Sequence, residues 1–597
     1  MPAPSRKPSE QSSPHAPSEP ASPQLDWKIG GAIVWILLFC TLFFQFDLPN
    51  SSPKVNRLEI LKSLPSLLMD ALDPPPPSRP DKSASPQEEF AYRQQMTRYQ
   101  QSGWKNFPQR LPPIAWGSFI VLAAWSLGRL TFRALRLPES ITPPERNYLA
   151  FLAGVSLLSL LVLLGGLAGL MQRTLWLGLL LALIICNAII SLRSFRLPTL
   201  LTALKNSWWK FIPFLPFAAC LLFGALLPEM DFDAREYHLG GPKEWYQAGS
   251  IHFLPHDVYT SFPFLAEMFI LLGMIVTGDW YWGIIPGKFL LMSLAPVTAW
   301  GLYLAGKRWF SPTVGWISAF IYFSTPWVYR FSTLTGVEGA LTTYLFASLF
   351  VLLLVASLRT QTAARSGLTT LIGLLGFFSG SAMACKYPGL VSVVVPMFLG
   401  LIAIWIFPSK STPQSSEETP KTPRLIPALA IFSLGVALAV GPWLLKNVVQ
   451  TGNPVYPLGY TIFGGEDWSP EMNLKWRAGH STRAHQYTLG WFGESIKDVT
   501  MKSDWQSPLC FSLALLALIG LPQHRRLVAG LWILILYQFL TYWFLTHRID
   551  RFWVPLIPIT VLLAGRGFAW SLHPLWKWPT YVTILIVSLY HLALISS

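Results

Sequence analysis

The stretch Met230-Asp231-Phe232-Asp233-Ala234-Arg235-Glu236-Tyr237-His238 follows directly on an apolar run and sets two carboxylates two residues apart. Carboxylates so placed suit two kinds of chemistry: one removes a proton from an acceptor hydroxyl as a general base, or the Asp-x-Asp pair holds a divalent cation. A solvated cluster that merely caps a helix is the competing reading. Lys386 stands in Cys385-Lys386-Tyr387-Pro388 between two apolar runs, and His547-Arg548-Ile549-Asp550-Arg551 brings two guanidinium groups within three residues, ahead of Phe552, Trp553 and Pro555. An ammonium serves as a point charge on a phosphate, and an arginine offers that phosphate a planar fork. Against this stand a lysine that snorkels to a membrane surface and an arginine that pairs structurally with Asp550. Glu338 opens another apolar run just after Gly336, where an acid also favours a helix N-terminus. His480 and His485 lie in the polar stretch 445–506 with Arg477 and Arg483, but no third ligand follows at a metal-site spacing. Trp468, Trp476 and Trp491 of that stretch have the shape to stack on sugar rings or to sit in an interfacial belt.

The elements that hold these residues are set by composition. Of 597 residues, 52% are hydrophobic and only 13% charged, and the mean hydropathy is +0.41. A soluble enzyme is excluded. The chain is a succession of apolar runs near twenty residues, each long enough at ~1.5 Å per residue to cross ~30 Å of hydrocarbon. The fold class is therefore an all-α polytopic membrane protein. The net charge of +15 belongs in such a protein to cytoplasmic loops, which disfavours nucleic acid as a partner. The five cysteines, Cys40, Cys186, Cys220, Cys385 and Cys510, lie in or beside apolar runs with no CxxC, so neither a disulfide framework nor a zinc site is expected.

Residues 1–28, rich in Pro and Ser, read as a disordered cytoplasmic tail. The run Ile29 to Leu48 is too long for a signal-peptide core and reads as a retained anchor helix. Residues 49–112 read as a flexible tether with one amphipathic helix in Glu88 to Gln101. About four spans thus precede residue 210, in an N-terminal region 29–209, and about eleven follow in a module 210–597 with large outer loops at 230–285 and 445–506. The segment 261–279 decides the topology. If it is re-entrant or interfacial, one side's short loops hold Lys307, Arg308, Arg359, Arg365, Lys410, Lys421, Arg424, Arg525, Arg526, Arg566 and Lys577, and the other's only Arg330, Lys386, Arg548 and Arg551. That division obeys the positive-inside rule. It gathers the loop after Met230, Glu338, Lys386 and the 547–551 cluster on the outer face, where costly ionisable groups converging at membrane depth imply a site.

The residues of that face resemble a known family. Asp233-Ala234 with Tyr237-His238-Leu239, Pro242-Lys243, Trp245, Asp257 to Pro263 and Glu267-Met268 resemble a bacterial branch of the GT-C membrane glycosyltransferases, and so do Gly441 to Asn447 with Thr451 to Pro457, and Arg551-Phe552 with Pro555 and Pro558. The resemblance covers about residues 210–570 and is similar to protein O-mannosyltransferases and lipid A aminoarabinose transferases. It implies a bundle of about eleven spans with partly embedded helices in the first outer loop. It also implies transfer of a hexosyl or pentosyl group from a polyprenyl-phosphate donor to a lipid, glycan or protein acceptor on the noncytoplasmic face, in a bacterial inner membrane. By position Asp233 is then the base and Asp231 an additional acid. Tyr237, His238, Glu338, Lys386, Arg548 and Arg551 become substrate-binding groups, with Lys386 and Arg551 near the carrier phosphate. No cofactor is firmly implied, and a divalent cation on Asp231 and Asp233 stays open. No Walker loop or dinucleotide fingerprint occurs, and the chemistry needs none. The alternative is a transporter or flippase of a lipid-linked or small anionic substrate, which would show inverted repeats and ionisable groups at mid-depth of several spans.

Overall fold

In hydrocarbon an isolated apolar run satisfies its backbone by coiling into a helix, and the computed structural model is helical accordingly. It describes residues 27–72, 75–81, 84–101, 104–192, 208–359, 367–407, 424–519 and 524–596, among which there is no strand beyond the isolated bridge Asp47–Asn56. The tail 1–26, most of the linker after Leu192, and the loops carrying Arg365, Lys410 and Lys421 lie outside the described residues. Among the described residues twelve helices are long and apolar enough to cross a membrane. The three other expected spans fall on shorter helices, Pro312–Ser324, Leu390–Ile406 and Pro508–Ile519. The first of these stops because Thr325 precedes Pro326 and is extended (φ −69°, ψ 126°); the chain then restarts as Pro326–Thr333.

The segment 261–279 holds a helix of 11 residues, Glu267–Thr277, about 16 Å long and so too short to cross the bilayer. It is buried inside the protein rather than lying at an interface, with Met268 to Leu272 wholly inaccessible. Its backbone closes on Ile284–Trp309 because neither side carries a side chain at the crossing: a Cβ on Gly273 would stand 2.2 Å from the Gly283 carbonyl oxygen. The helix pair Leu368–Cys385 and Leu425–Thr451 crosses in the same way. A Cβ on Gly376 would meet the Phe432 carbonyl at 2.0 Å. That contact anchors the first helix, after whose C-terminal end Lys386 follows.

The N-terminal spans pack into the same body. Ser156 bonds the Tyr344 hydroxyl at 2.7 Å and Ser381 at 2.8 Å, Ser159 donates to the Leu265 carbonyl, and Arg308 grips both oxygens of Glu145 at 2.9 Å. The expectation of a free tether over 49–112 needs correction. Residues 57–72 form the helices Arg57–Lys62 and Leu64–Leu72 against the last span, Pro574–Ser596. Sequence composition is polar here, but Arg57, Ile60 and Phe43 find a buried seat. The expected helix is present as Pro86–Gln101.

Candidate active site

The acidic segment leaves its span and turns at once into helix, with Asp233 at helical angles (φ −59°, ψ −39°) ahead of the wide turn Ala234–His238. Residues two apart on a helix point about 200° away from each other. The two carboxylates separate accordingly: Asp231 Oδ2 lies 4.0 Å from Arg330 Nη2, while Asp233 Oδ2 lies 2.5 Å from Arg551 Nη2. The loop is tied to its neighbour by Glu229. Its carboxylate accepts the amides of Met230, Asp231 and Thr335 and the Thr335 hydroxyl, with Lys288 Nζ 3.7 Å away.

Three helix ends supply the rest. Glu338 is the first residue of Glu338–Leu358, Lys386 follows Leu368–Cys385, and Arg551 lies in the one-turn helix Asp550–Phe552 ahead of Ile557–Phe568. Glu338 Oε1 is 3.4 Å from Lys386 Nζ and 3.8 Å from Arg551 Nε. Asp233, Arg551, Glu338 and Lys386 thus form one chain of alternating charge. Burial pushes the Lys386 ammonium down from its ordinary value, and Glu338 opposes that shift. Burial likewise pushes the Tyr237 phenol up. His238 Nδ1 lies 2.5 Å from Oε1 of the buried Glu267, whose carboxyl burial raises.

Two cavities meet at this chain. One, of about 400 Å³, is lined by the stacked rings of Tyr237 and Tyr259, by Phe262 and Trp476, and by Lys386, His480 and His547. The other, of about 740 Å³, is lined by Asp231, Arg330, Glu338, Asp504, Trp505 and Asp550 among others. Asp233, His238, Ile549 and Arg551 belong to both walls. In the first, His480 stacks on Trp476 at 3.9 Å, and its Nε2 lies 3.4 Å from the Tyr259 hydroxyl. His547 is held down to about 4 by burial first, then by His480, Arg551 and Lys386.

The expected site residues Asp233, Tyr237, His238, Glu338, Lys386 and Arg551 are therefore together, and Asp231 is one cavity wall away. Arg548 is not with them. It sits in the left-handed region (φ 60°), lies over the Trp543 ring at 3.4 Å and the Tyr487 ring at 4.5 Å, and donates to the carbonyls of Trp543 and Gln486. Arg548 thus lines neither of the two cavities, whereas Arg551, with which it was expected to act, lines both. Asp231 and Asp233 face different cations, and among the described residues no group of three or more His, Cys, Asp or Glu is placed to hold a metal ion. Of the three tryptophans, Trp476 lines the smaller cavity, and Trp468 packs behind it. Sequence reading did not single out Glu229 or Lys288, counted Arg330 only among the short-loop basic residues, and carried Tyr259 only inside a motif. Glu267 was visible there only as part of a motif, although an acid inside the apolar stretch 261–279 is itself a signal.

Residues 261–434, which contain Glu267, Glu338 and Lys386, match the family model of dolichyl-phosphate-mannose-protein mannosyltransferases. Over this segment the chain is similar to that family of GT-C glycosyltransferases. The resemblance read from the motifs is thereby borne out over that stretch, and the fold is that of a multi-pass helical membrane protein. Among solved structures, ArnT from Cupriavidus metallidurans bound to undecaprenyl phosphate is similar at a TM-score of 0.47 with 12% identity, covering 64% of this chain and 63% of that one. The same protein in the apo state is similar at 0.44 with 15% identity, covering 61% and 60%. The chain thus spans less than two thirds of ArnT. No curated protein matches it closely.

Proposed function

We propose that the protein transfers a sugar from a polyprenyl-phosphate donor to an acceptor on the noncytoplasmic face of a bacterial inner membrane. The observation that carries the reading is the chain Asp233–Arg551–Glu338–Lys386 at the junction of two cavities. Two cations beside the aromatic-lined cavity suit a carrier phosphate, and a carboxylate shared by both cavities suits an acceptor hydroxyl. The acceptor oxygen attacks the anomeric carbon, the bond from that carbon to the phosphate oxygen breaks with its electron pair staying on the phosphate, and Asp233 takes the hydroxyl proton. Lys386 and Arg551 stabilise the charge that develops on the leaving phosphate. Glu338 holds both of them in place. Tyr237 and His238 line the reaction space, His238 being oriented by Glu267.

The helix-end placement of Glu338, Lys386 and Arg551 favours a transferase over a transporter, whose ionisable groups belong at mid-depth. The test is to incubate purified protein with a panel of radiolabelled polyprenyl-phosphate sugars and membrane extract and to follow donor consumption. Consumption of one donor with label appearing in a second product is the expected result. Vectorial movement of an unaltered substrate across vesicles, with no donor consumed, overturns the reading.

A further inference from the structure

The chain N-terminal to residue 210 lies outside both the motif resemblance and the matched segment, yet it reaches the larger cavity. Arg57, fully buried, stacks over the Phe43 ring at 4.2 Å and donates to the carbonyls of Phe43 (3.1 Å), Lys502 (2.6 Å) and Ser503 (3.1 Å). Ser503 in turn donates its hydroxyl to Asp550, the neighbour of Arg551, at 2.9 Å. Seven residues before Arg57, Asn50 donates its side-chain amide to Asp504 Oδ2 at 2.6 Å and its backbone amide to Oδ1 at 3.3 Å. Asn50 and Asp504 both line the cavity of about 740 Å³, beside Trp505. The N-terminal extension is thus pinned by a buried arginine to the segment 502–504 and contributes a wall of its own.

The charges of that wall select its occupant. Its carboxylates are Asp231, Asp233, Glu338, Asp504 and Asp550, against the guanidinium groups of Arg330 and Arg551. An anionic molecule meets net repulsion there. The Asn50–Asp504 pair adds a second distinction. The amide keeps one N–H and its carbonyl oxygen, and the carboxylate keeps spare lone pairs, so the pair presents donor and acceptors side by side. A hydroxyl needs both kinds of partner, a phosphate only donors, and an ammonium only acceptors. We propose that this cavity is the acceptor subsite for a neutral polyhydroxylated molecule, a glycan terminus, and that the N-terminal extension supplies its recognition pair, Asn50 and Asp504. The inference rests on the transferase reading and names the acceptor class of that same site.

The test uses the full chain in lipid nanodiscs and measures binding of neutral gluco-, galacto- and manno-oligosaccharides, of glucose 6-phosphate and of glucosamine, with polyprenyl phosphate as an independent ligand. At least one neutral oligosaccharide binds more tightly than the phosphate ester or the amine. Asn50→Ala, at an exposed position and with thermal unfolding followed in parallel, raises its dissociation constant roughly 3- to 10-fold and leaves polyprenyl phosphate binding unchanged. Tighter binding of the phosphate ester or of the amine, no neutral binding at all, or an Asn50→Ala protein with unaltered saccharide affinity overturns the proposal. Saccharide binding without any polyprenyl phosphate binding would instead sink the transferase reading and leave the subsite standing.

Discussion

Arg551 is the residue at which the proposed clamp and the proposed base meet, so Arg551→Ala is the most informative single change. The guanidinium reaches Asp233 at 2.5 Å and Glu338 at 3.8 Å with about a quarter of its side chain (28%) exposed. A fully solvated pair would be worth little, ~0–1 kcal/mol. At this depth, a charge-assisted bond to a phosphate oxygen is worth ~1.5–3 kcal/mol, which corresponds to a loss of roughly 10- to 150-fold in kcat/KM for the donor. Arg551→Lys restores part of that, because the charge returns without the planar fork. Glu338→Gln is expected to cost activity too, since it releases Lys386 and Arg551 together. The double variant Arg551→Ala, Glu338→Gln then loses less than the product of the two single losses, because the two residues share one function. The assay is transfer at varied donor concentration, with thermal unfolding followed in parallel to separate activity from folding. A folded Arg551→Ala protein with unchanged kcat/KM, or strictly multiplicative losses in the double variant, refutes the shared clamp.

Three further outcomes are expected. Cysteines introduced at positions 257 and 548 label from the same, noncytoplasmic side; labelling from opposite sides would mean that 261–279 crosses the membrane. Asp233→Asn lowers turnover by ~10²–10⁴ with donor binding kept, whereas Asp231→Asn costs less than about tenfold; a more damaging Asp231→Asn, or rescue of either variant by added divalent cation, refutes Asp233 as the lone base. His547 is held down to about 4 by burial and by the charges of His480, Arg551 and Lys386, so its neutral form is favoured in the folded protein. The unfolded ring takes up a proton near 6.5; the stability His547 contributes is therefore full above that pH and is lost as the pH falls from about 6.5 toward 4. His547→Gln should flatten the pH dependence of the unfolding temperature in that window, and an unchanged slope would show that the ring titrates normally.

Much of the fold was legible because membrane burial writes itself into runs of apolar residues, and so most of the spans followed from length, whereas the reading of 261–279 as re-entrant or interfacial did not foresee a short helix buried inside the protein. The site was legible where an ionisable residue interrupts or ends such a run, as with Asp233, Glu338, Lys386 and Arg551. Arg548 shows the limit of that logic. It has the same type and nearly the same position as Arg551, but a left-handed backbone and two aromatic faces turn it away, and neither is encoded in spacing. The docking of residues 57–72 was hidden for a related reason. Their seat is built from Phe43, Lys502, Ser503 and the last span, residues that are hundreds of positions apart or belong to other elements, and a polar composition does not reveal a buried arginine.

The alternation of charge in the candidate site gives a reason for the proposed base and the proposed clamp to touch. Asp233 and Glu338 balance Arg551 and Lys386, so the four groups carry no net charge while Asp233 is ionised. A sugar-phosphate diester enters with one negative charge, and the departing carrier phosphate gains a second. In the proposed transfer Asp233 would lose its charge on taking the acceptor proton, and the guanidinium at 2.5 Å would lose that one partner. On the proposed mechanism the cation would be freed toward the phosphate as that group gains charge, with the summed charge of site and substrates unchanged. Glu338, 3.8 Å from the same guanidinium, would remain as its partner once Asp233 is protonated. Asp550 is instead engaged by Ser503, 2.9 Å away on the segment that the N-terminal extension anchors. Asp550 thus has a partner other than Arg551, supplied by the segment that Arg57 grips.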